Sequence, residues 1–189
     1  MFTVRTDQLL IRELQAQDQS IFCELFTDSG TMRFIGPALR PEQAIEQFGR
    51  ALRSGEVQPR KGFFWTVVEP RISRPIGICS LRIEHTRAEA GLMLRSDHRL
   101  KGYGLETVQG LFQASFQVFP IDEIWVQYDA RNLAAERLFA KAGLGACSDE
   151  CAGTHTQMRV RSAFREHWET QISGHLLQVT QPQNQITLA

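Results

Sequence analysis

The sequence predicts a mixed α/β (α+β) fold: a central, mostly antiparallel sheet flanked by about four helices. Three observations predict it. Segments with strand character crowd into residues 62–94, joined by turns too short to hold a helix, so these strands pair as antiparallel hairpins. A long amphipathic segment then separates Leu94 from the next strand at Glu123, which is the crossover a parallel pair needs. The chain has 189 residues, 42% hydrophobic and 22% charged, an ordinary globular composition with enough residues for one core.

The elements follow in order. Gln8-Leu9-Leu10-Ile11-Arg12-Glu13-Leu14 alternates and reads as the first strand. Gln17-Asp18 opens a helix whose apolar stripe is Ile21, Phe22, Leu25 and Phe26, and Asp28-Ser29-Gly30 stops it. Met32-Arg33-Phe34-Ile35-Gly36 connects to a second helix. Pro41 suits the first turn of that helix, with Ala44, Ile45, Phe48 and Leu52 on one face and Gly55 beyond its end. Gly62–Val68 is aromatic and β-branched, hence a strand; Pro70–Pro75 is a turn; Ile76–Ile83 and Glu89–Leu94 are the next strands. Leu105, Val108, Leu111, Phe112, Ser115, Phe116 and Phe119 have helical spacing, Pro120 ends the run, and Gly110 inside it marks a close packing contact. In Glu123–Tyr128, Ile124, Val126 and Tyr128 alternate with Trp125 and Gln127, a strand. Asn132 begins a short helix carrying Ala135, Leu138, Phe139 and Ala142, closed by Lys141 and Gly143. Strands near Gly145–Asp149 and His155–Arg161 and a helix over Ala163–Glu169 complete the pattern. The Gln-rich stretch Gln178–Gln185 reads either as a loose tail or as an added edge strand. Residues 1–168 are expected to form one domain, with 169–189 as an extension.

Composition excludes several classes. Lys+Arg and Asp+Glu are both 21, so there is no basic excess of the kind a general nucleic-acid binder shows. No apolar run is long enough for a bilayer, and Met1–Asp7 lacks the basic and apolar regions of a signal peptide, so a cytoplasmic protein without membrane contact is expected. Four scattered cysteines are then free thiols. Cys147-x-x-x-Cys151-x-x-x-His155 offers three candidate ligands without a fourth, and no metal is expected.

The chemistry concentrates in His98-Arg99-Leu100-Lys101-Gly102-Tyr103-Gly104-Leu105-Glu106. Its core is Arg-x-x-Gly-x-Gly at the start of a helix. Small residues let the backbone turn tightly and bring its N–H groups to a ligand, and the first helical turn adds orphan donors and the positive end of its dipole. Arg99 and Lys101 add positive charge. This is a cradle for the pyrophosphate of a nucleotide-like cofactor.

A second motif follows in Ala130-Arg131-Asn132-Leu133-Ala134-Ala135-Glu136-Arg137-Leu138-Phe139-Ala140-Lys141-Ala142-Gly143-Leu144. The two motifs in this order resemble the GNAT superfamily of N-acetyltransferases. Leu9–Leu14, Met32–Gly36 and Glu42-Gln43-Ala44 are similar to its bacterial branch that acetylates N-terminal amines of ribosomal proteins, and the likeness spans roughly residues 8 to 168. The resemblance implies a sheet splayed at the cofactor strand, acetyl-CoA as acyl donor, and a primary amine as acceptor: a protein N-terminus, an amino acid or a small amine. It implies that the backbone around Leu92, Met93 and Leu94 holds the pantetheine arm and polarises the thioester. The amides of Arg99, Leu100, Lys101, Gly102, Tyr103 and Gly104 then take the pyrophosphate, and Asn132 contacts the pantetheine.

Acetyl transfer needs a neutral amine, a donor for the oxyanion and, least strictly, a proton for the departing thiolate. Family members often carry Tyr or Ser in the helix after the Asn; the matching positions here are Ala135 and Phe139, and neither donates a proton. Tyr128 and Ser115 are the hydroxyls that remain as candidates, Tyr128 first. Glu89 is the candidate base, acting through water, against the alternative of a solvated strand residue. His85 has a suitable ordinary pKa, but a surface-turn histidine is the reading preferred for it. Glu106 matches a family Glu and also suits a helix N-terminus. Phe63, Phe64 and Trp65 either line an acceptor pocket or belong to the core. Two other readings remain: a non-catalytic acyl-CoA-binding module, and an unrelated phosphate-binding protein, which the missing GxGxxG and Gly-Lys-Ser/Thr disfavour. A monomer and a homodimer are both open.

Overall fold

The computed structural model describes residues 2–55, 59–145, 148–151, 157–171 and 178–180. In chain order the elements are β1 (Thr3–Arg5), β2 (Leu10–Glu13), α1 (Gln19–Thr27), α2 (Ser29–Met32), α3 (Pro41–Arg53), β3 (Gly62–Glu69), β4 (Arg74–Glu84), β5 (Arg87–Leu94), α4 (Tyr103–Val118), β6 (Glu123–Asp129), α5 (Leu133–Lys141), β7 (Ser148–Cys151), β8 (Gln157–Phe164), α6 (Arg165–Gln171) and β9 (Gln178–Thr180). The described strands form one sheet in the order β7-β8-β6-β5-β4-β3-β2-β1-β9. Every pairing is antiparallel except β5 with β6, which the crossover helix α4 connects. The four main helices expected are α1, α3, α4 and α5; α6 is the late helix expected near Ala163–Glu169, and α2 is a short addition. Among the described residues no helix is long and apolar enough to cross a membrane.

Each helix buries a stripe its sequence encodes. α4 lies across one face of the sheet, and Val108, Leu111, Phe112 and Phe116 join Phe2, Phe63, Trp65 and Ile124 in the main core. Gly110 lets it come close: a Cβ there would stand 3.1 Å from Thr6 Cγ2 and 3.4 Å from Val4 Cγ1. On the other face α1 and α3 pack Phe22, Leu25, Phe48 and Ala51 over Ile78, with Phe64 and Met93 at the margin. Phe63 and Trp65 are therefore core residues, and Phe64 points to the second cluster. α3 begins at Pro41, and Gln43 Oε1 accepts from the Arg40 N–H at 3.0 Å, closing its first turn. Its buried stripe is Ala44, Phe48 and Ala51, whereas Ile45 is 50% exposed; the stripe follows i, i+4, i+7 and leaves Ile45 on the flank.

Among the buried polar groups, Asp18 ties several elements of this frame together. Asp18 accepts two bonds from Arg12 (2.7 and 2.8 Å), one from the Gln15 N–H and one from Thr66 Oγ1. Burial pushes its carboxyl up, but these donors outweigh burial and hold it below the usual value.

The edges differ from the sequence expectation. Thr3–Arg5 was not expected as a strand, yet β1 pairs with β2 and, through Thr3↔Thr180, with β9. Gln178–Thr180 is thus an edge strand, and the rest of that Gln-rich stretch lies outside the described residues. The late strands sit a few residues beyond their expected limits, and α6 starts at Arg165 instead of Ala163 because Ala163 still pairs with Ile124 in β8.

Candidate functional site

The sheet splits beside β5. β5 pairs with β4 along its whole length, from Arg87↔Glu84 to Leu94↔Gly77. With β6 it pairs only at Arg87, Ala88 and Glu89. Beyond Glu89 the two parallel strands part, and among the described residues no strand pairs with the second half of β5 on that side. Alternate residues of an antiparallel strand turn their N–H and C=O to opposite sides. Arg95 N–H donates to Ile76 O in the β4 direction, so by period two Met93 faces β4 while Leu92 and Leu94 face the gap. The Leu94 carbonyl accordingly accepts from Arg99 Nε at 3.0 Å, from outside the β4–β5 ladder. Of the three residues expected to hold a pantetheine arm, Leu92 offers its backbone to the gap, Leu94 offers part of it, and Met93 does not. The correction for Met93 follows from strand parity.

The gap leads into a crevice lined by Ala90, Leu92, Leu111, Phe112, Val126 and Phe139, with Cys79 and Thr107 also in its wall. Burial raises the Cys79 thiol far above its ordinary value, and Thr107 Oγ1 donates to Tyr103 O at 2.7 Å within its own helix. The wall therefore presents apolar surface and backbone, not a proton donor.

Past Leu94 the chain makes a 3₁₀ turn at Ser96–His98 and enters the loop that starts α4. Gly102 is the N-cap residue at φ 90°, a conformation open to glycine, and Leu100 at φ 61° is fully exposed. The first internal bond at this helix start runs from Glu106 N–H to Gly102 O. Among the described residues no acceptor is found for the N–H groups of Leu100, Lys101, Gly102, Tyr103, Gly104 or Leu105. A run of unpaired amides at a helix N-terminus is what the cradle expectation requires. Lys101 is exposed, with no ion-pair partner among the described residues. Gly104 faces α5: a Cβ would touch Leu138 at 3.5 Å.

Arg99 does not follow expectation. Its guanidinium is turned back, with Nε on Leu94 O and an Nη on Thr31 Oγ1 at 2.7 Å. It braces the loop against β5 and α2, and its own N–H donates to Ser96 O at 3.3 Å, so neither its charge nor its amide is turned to the loop's open side. Asn132 is the N-cap of α5, its Oδ1 accepting from Ala135 N–H at 3.1 Å. That places it at the end of β6, across the gap from the cradle helix, with its Nδ2 as the group left for a ligand.

The proposed catalytic groups separate. Glu89 lies on the opposite face from Ala90 and Leu92, where Arg82 donates twice to its Oε2 (3.1 and 2.6 Å). Its Oε1 has no partner among the described residues. Tyr128 is buried; its hydroxyl donates to Glu136 Oε2 at 2.5 Å and accepts from Arg161 Nε at 3.1 Å. Those bonds, with Arg161 on Oε1 at 2.6 Å, pull the Glu136 carboxyl down to about 2. The Tyr128 proton is thus committed to tying β6, β8 and α5 together, a structural duty the sequence did not disclose. Ser115 is buried and outside the crevice wall, and His85 is an exposed hairpin-turn residue at φ 58°. Glu106 accepts from Thr6 Oγ1, from Gln8 N–H at 2.7 Å and from Gln8 Nε2 at 2.9 Å, which fixes it as the anchor of the β1–β2 turn. Cys147 and His155 lie outside the described residues, and among those described no cluster could hold a metal.

Residues 8–145 match the acetyltransferase (GNAT) domain model, and the chain belongs to that family. The protein is an acetyltransferase enzyme of the GNAT class. It is 26% identical over 150 residues to the uncharacterized N-acetyltransferase YoaA of Bacillus subtilis, covering 76% of this chain and 83% of that one. Spermidine N-acetyltransferase from Vibrio cholerae, solved with CoA and spermine, superposes with TM-score 0.73 at 16% identity, over 85% of this chain and 98% of that chain. Ribosomal-protein-S5-alanine acetyltransferase from Vibrio fischeri gives TM-score 0.71 at 16% identity, over 88% and 98%. At such identities the solved structures establish the shared fold.

Proposed function

We propose that the enzyme moves an acetyl group from acetyl-CoA to a primary amine: a protein N-terminus, an amino acid or a small amine. The observation that carries this is the continuity of the β5–β6 gap with the unpaired amides of Leu100–Leu105. One end suits a pyrophosphate and the other an extended amide-bearing arm. The spermidine and S5-alanine acetyltransferases, whose folds this chain shares, are named for amine acceptors, which supports an amine here.

In this reading the cradle amides and Lys101 bind the phosphates, and Asn132 Nδ2 and the Leu92 backbone hold the pantetheine. Leu92 N–H, turned into the gap, donates to the thioester oxygen as charge develops there. The neutral amine nitrogen attacks the carbonyl carbon, the C–S bond breaks, and sulfur leaves with the electron pair. The apolar wall around Phe139 offers no acid, so the thiolate leaves without a protein proton, which a thiol of ordinary pKa near 8.5 permits. Glu89 Oε1 accepts the amine's proton through water.

The test is release of CoA thiol from acetyl-CoA with a panel of polyamines, amino acids and short peptides with free N-termini. Amine-dependent release, with acetylated product by mass spectrometry, is expected. CoA binding without turnover on any amine would favour a non-catalytic acyl-CoA-binding module, and absence of CoA binding would overturn both.

A further inference from the structure

The cradle loop has a buried residue at each end, and both lie beside one carboxylate. His98, immediately before the loop, is buried, with Nδ1 2.7 Å from Asp97 Oδ1 and Nε2 3.6 Å from Glu69 Oε2. Tyr103, the first residue of α4, is also buried, and the Glu69 side chain beside it raises its phenol above the ordinary value. The two rings lie stacked with centroids 6.2 Å apart. Glu69 itself is the last residue of β3, and its side chain is only 14% exposed. A largely buried carboxylate is costly unless polar groups lie against it, and among the described residues those two loop-end side chains are the ones beside it.

We infer that Glu69 is a positioning residue for the cofactor. Through Tyr103 and His98 it sets the spacing of the two ends of the Arg99–Gly102 loop, and hence the aim of the loop's amides. Hydrogen bonds weaken steeply as they bend, so a loop free to spread delivers weaker contacts to an anion. The inference rests on the CoA reading of the cradle. It also separates geometry from charge. A carboxylate near an anion site repels the anion, so deleting Glu69 improves binding if charge is its only effect and weakens binding if it sets the loop.

The experiment is calorimetric titration of CoA, with KM for acetyl-CoA and kcat, on the wild type and on Glu69→Ala, Glu69→Gln and Tyr103→Phe. Glu69→Ala is expected to raise both Kd and KM about tenfold, the equivalent of roughly one lost hydrogen bond to a charged group, with kcat little changed. Glu69→Gln keeps an oxygen for the Tyr103 hydroxyl and should stay close to wild type. Tyr103→Phe removes the hydroxyl alone and should weaken CoA in the same direction, which keeps the test open if Glu69→Ala does not fold. Equal or tighter CoA binding by Glu69→Ala, or a fall in kcat with KM unchanged, overturns the inference. A wild type that does not bind CoA overturns the functional reading and this inference with it; a wild type that binds beside an unaffected Glu69→Ala overturns this inference alone.

Discussion

Gly102→Ala is the sharpest perturbation of the cradle. Gly102 sits at φ 90° with nothing within 4 Å of the place its Cβ would occupy. Space is therefore no obstacle, and the whole effect comes from the backbone. A left-handed conformation costs an L-residue about 1–2 kcal/mol. The loop can accept that strain or escape it by rotating Gly102 toward negative φ. Escape is favoured because the loop's amides are tied to no protein acceptor among the described residues. Rotation re-aims the amides on either side of residue 102. Losing one hydrogen bond to a charged group costs about 1.5–3 kcal/mol, so CoA affinity should fall about 10- to 150-fold. Calorimetric titration of CoA reads this, with a melting curve beside it. If strain is retained instead, 1–2 kcal/mol appears as a loss of several degrees in Tm, at about 2–4 °C per kcal/mol for a chain of this size. A variant with both wild-type Kd and wild-type Tm would refute the conformational reasoning.

Three further outcomes are expected. Asp18→Ala leaves the Arg12 guanidinium in the sheet margin without its carboxylate and should cost about 3–5 kcal/mol in urea unfolding; a cost under about 1 kcal/mol would show the pair to be solvated. Glu136 has its pKa lowered from 4.5 to about 2, and Asp18 is also lowered, so the folded state binds fewer protons than the unfolded state. Their stabilisation is complete above the ordinary carboxylate range and is lost as pH falls from 4.5 toward about 2; unfolding free energies that hold constant or rise across that window would contradict the assignment. Tyr128→Phe should destabilise the β6–β8–α5 junction while leaving kcat within a few-fold; a fall of about 10²-fold or more, the range of a lost general acid, would return Tyr128 to the chemistry.

What the sequence disclosed and what it hid divide by contact distance along the chain. The helices are encoded locally, by Pro41 at a helix start, by the stripe Val108–Leu111–Phe112 and by Asn132 as a cap, so they were legible. The left-handed turn at Gly102 ahead of α4 was legible for the same reason, since glycine takes such a φ at no steric cost. Arg99 was misread because its partner Thr31 is 68 residues away, and Glu106 was ambiguous because Thr6 and Gln8 are about a hundred residues away. β1 and β9 are three-residue edge strands joined across nearly the whole chain, too short to carry a period. Met93 was avoidable: period two alone sets it opposite Leu92 and Leu94. Nothing local marks Tyr128 as a structural hydroxyl, since its partners sit on two other elements.

The most direct measurement is backbone amide NMR during titration with CoA. The expected result is saturable shifts of the Leu92 and Leu100–Leu105 amides, with Met93 and the Glu84–Arg87 hairpin little moved. Shifts confined to other surfaces, or none at saturating CoA, would contradict a cofactor held by the free edge of β5 and the start of α4.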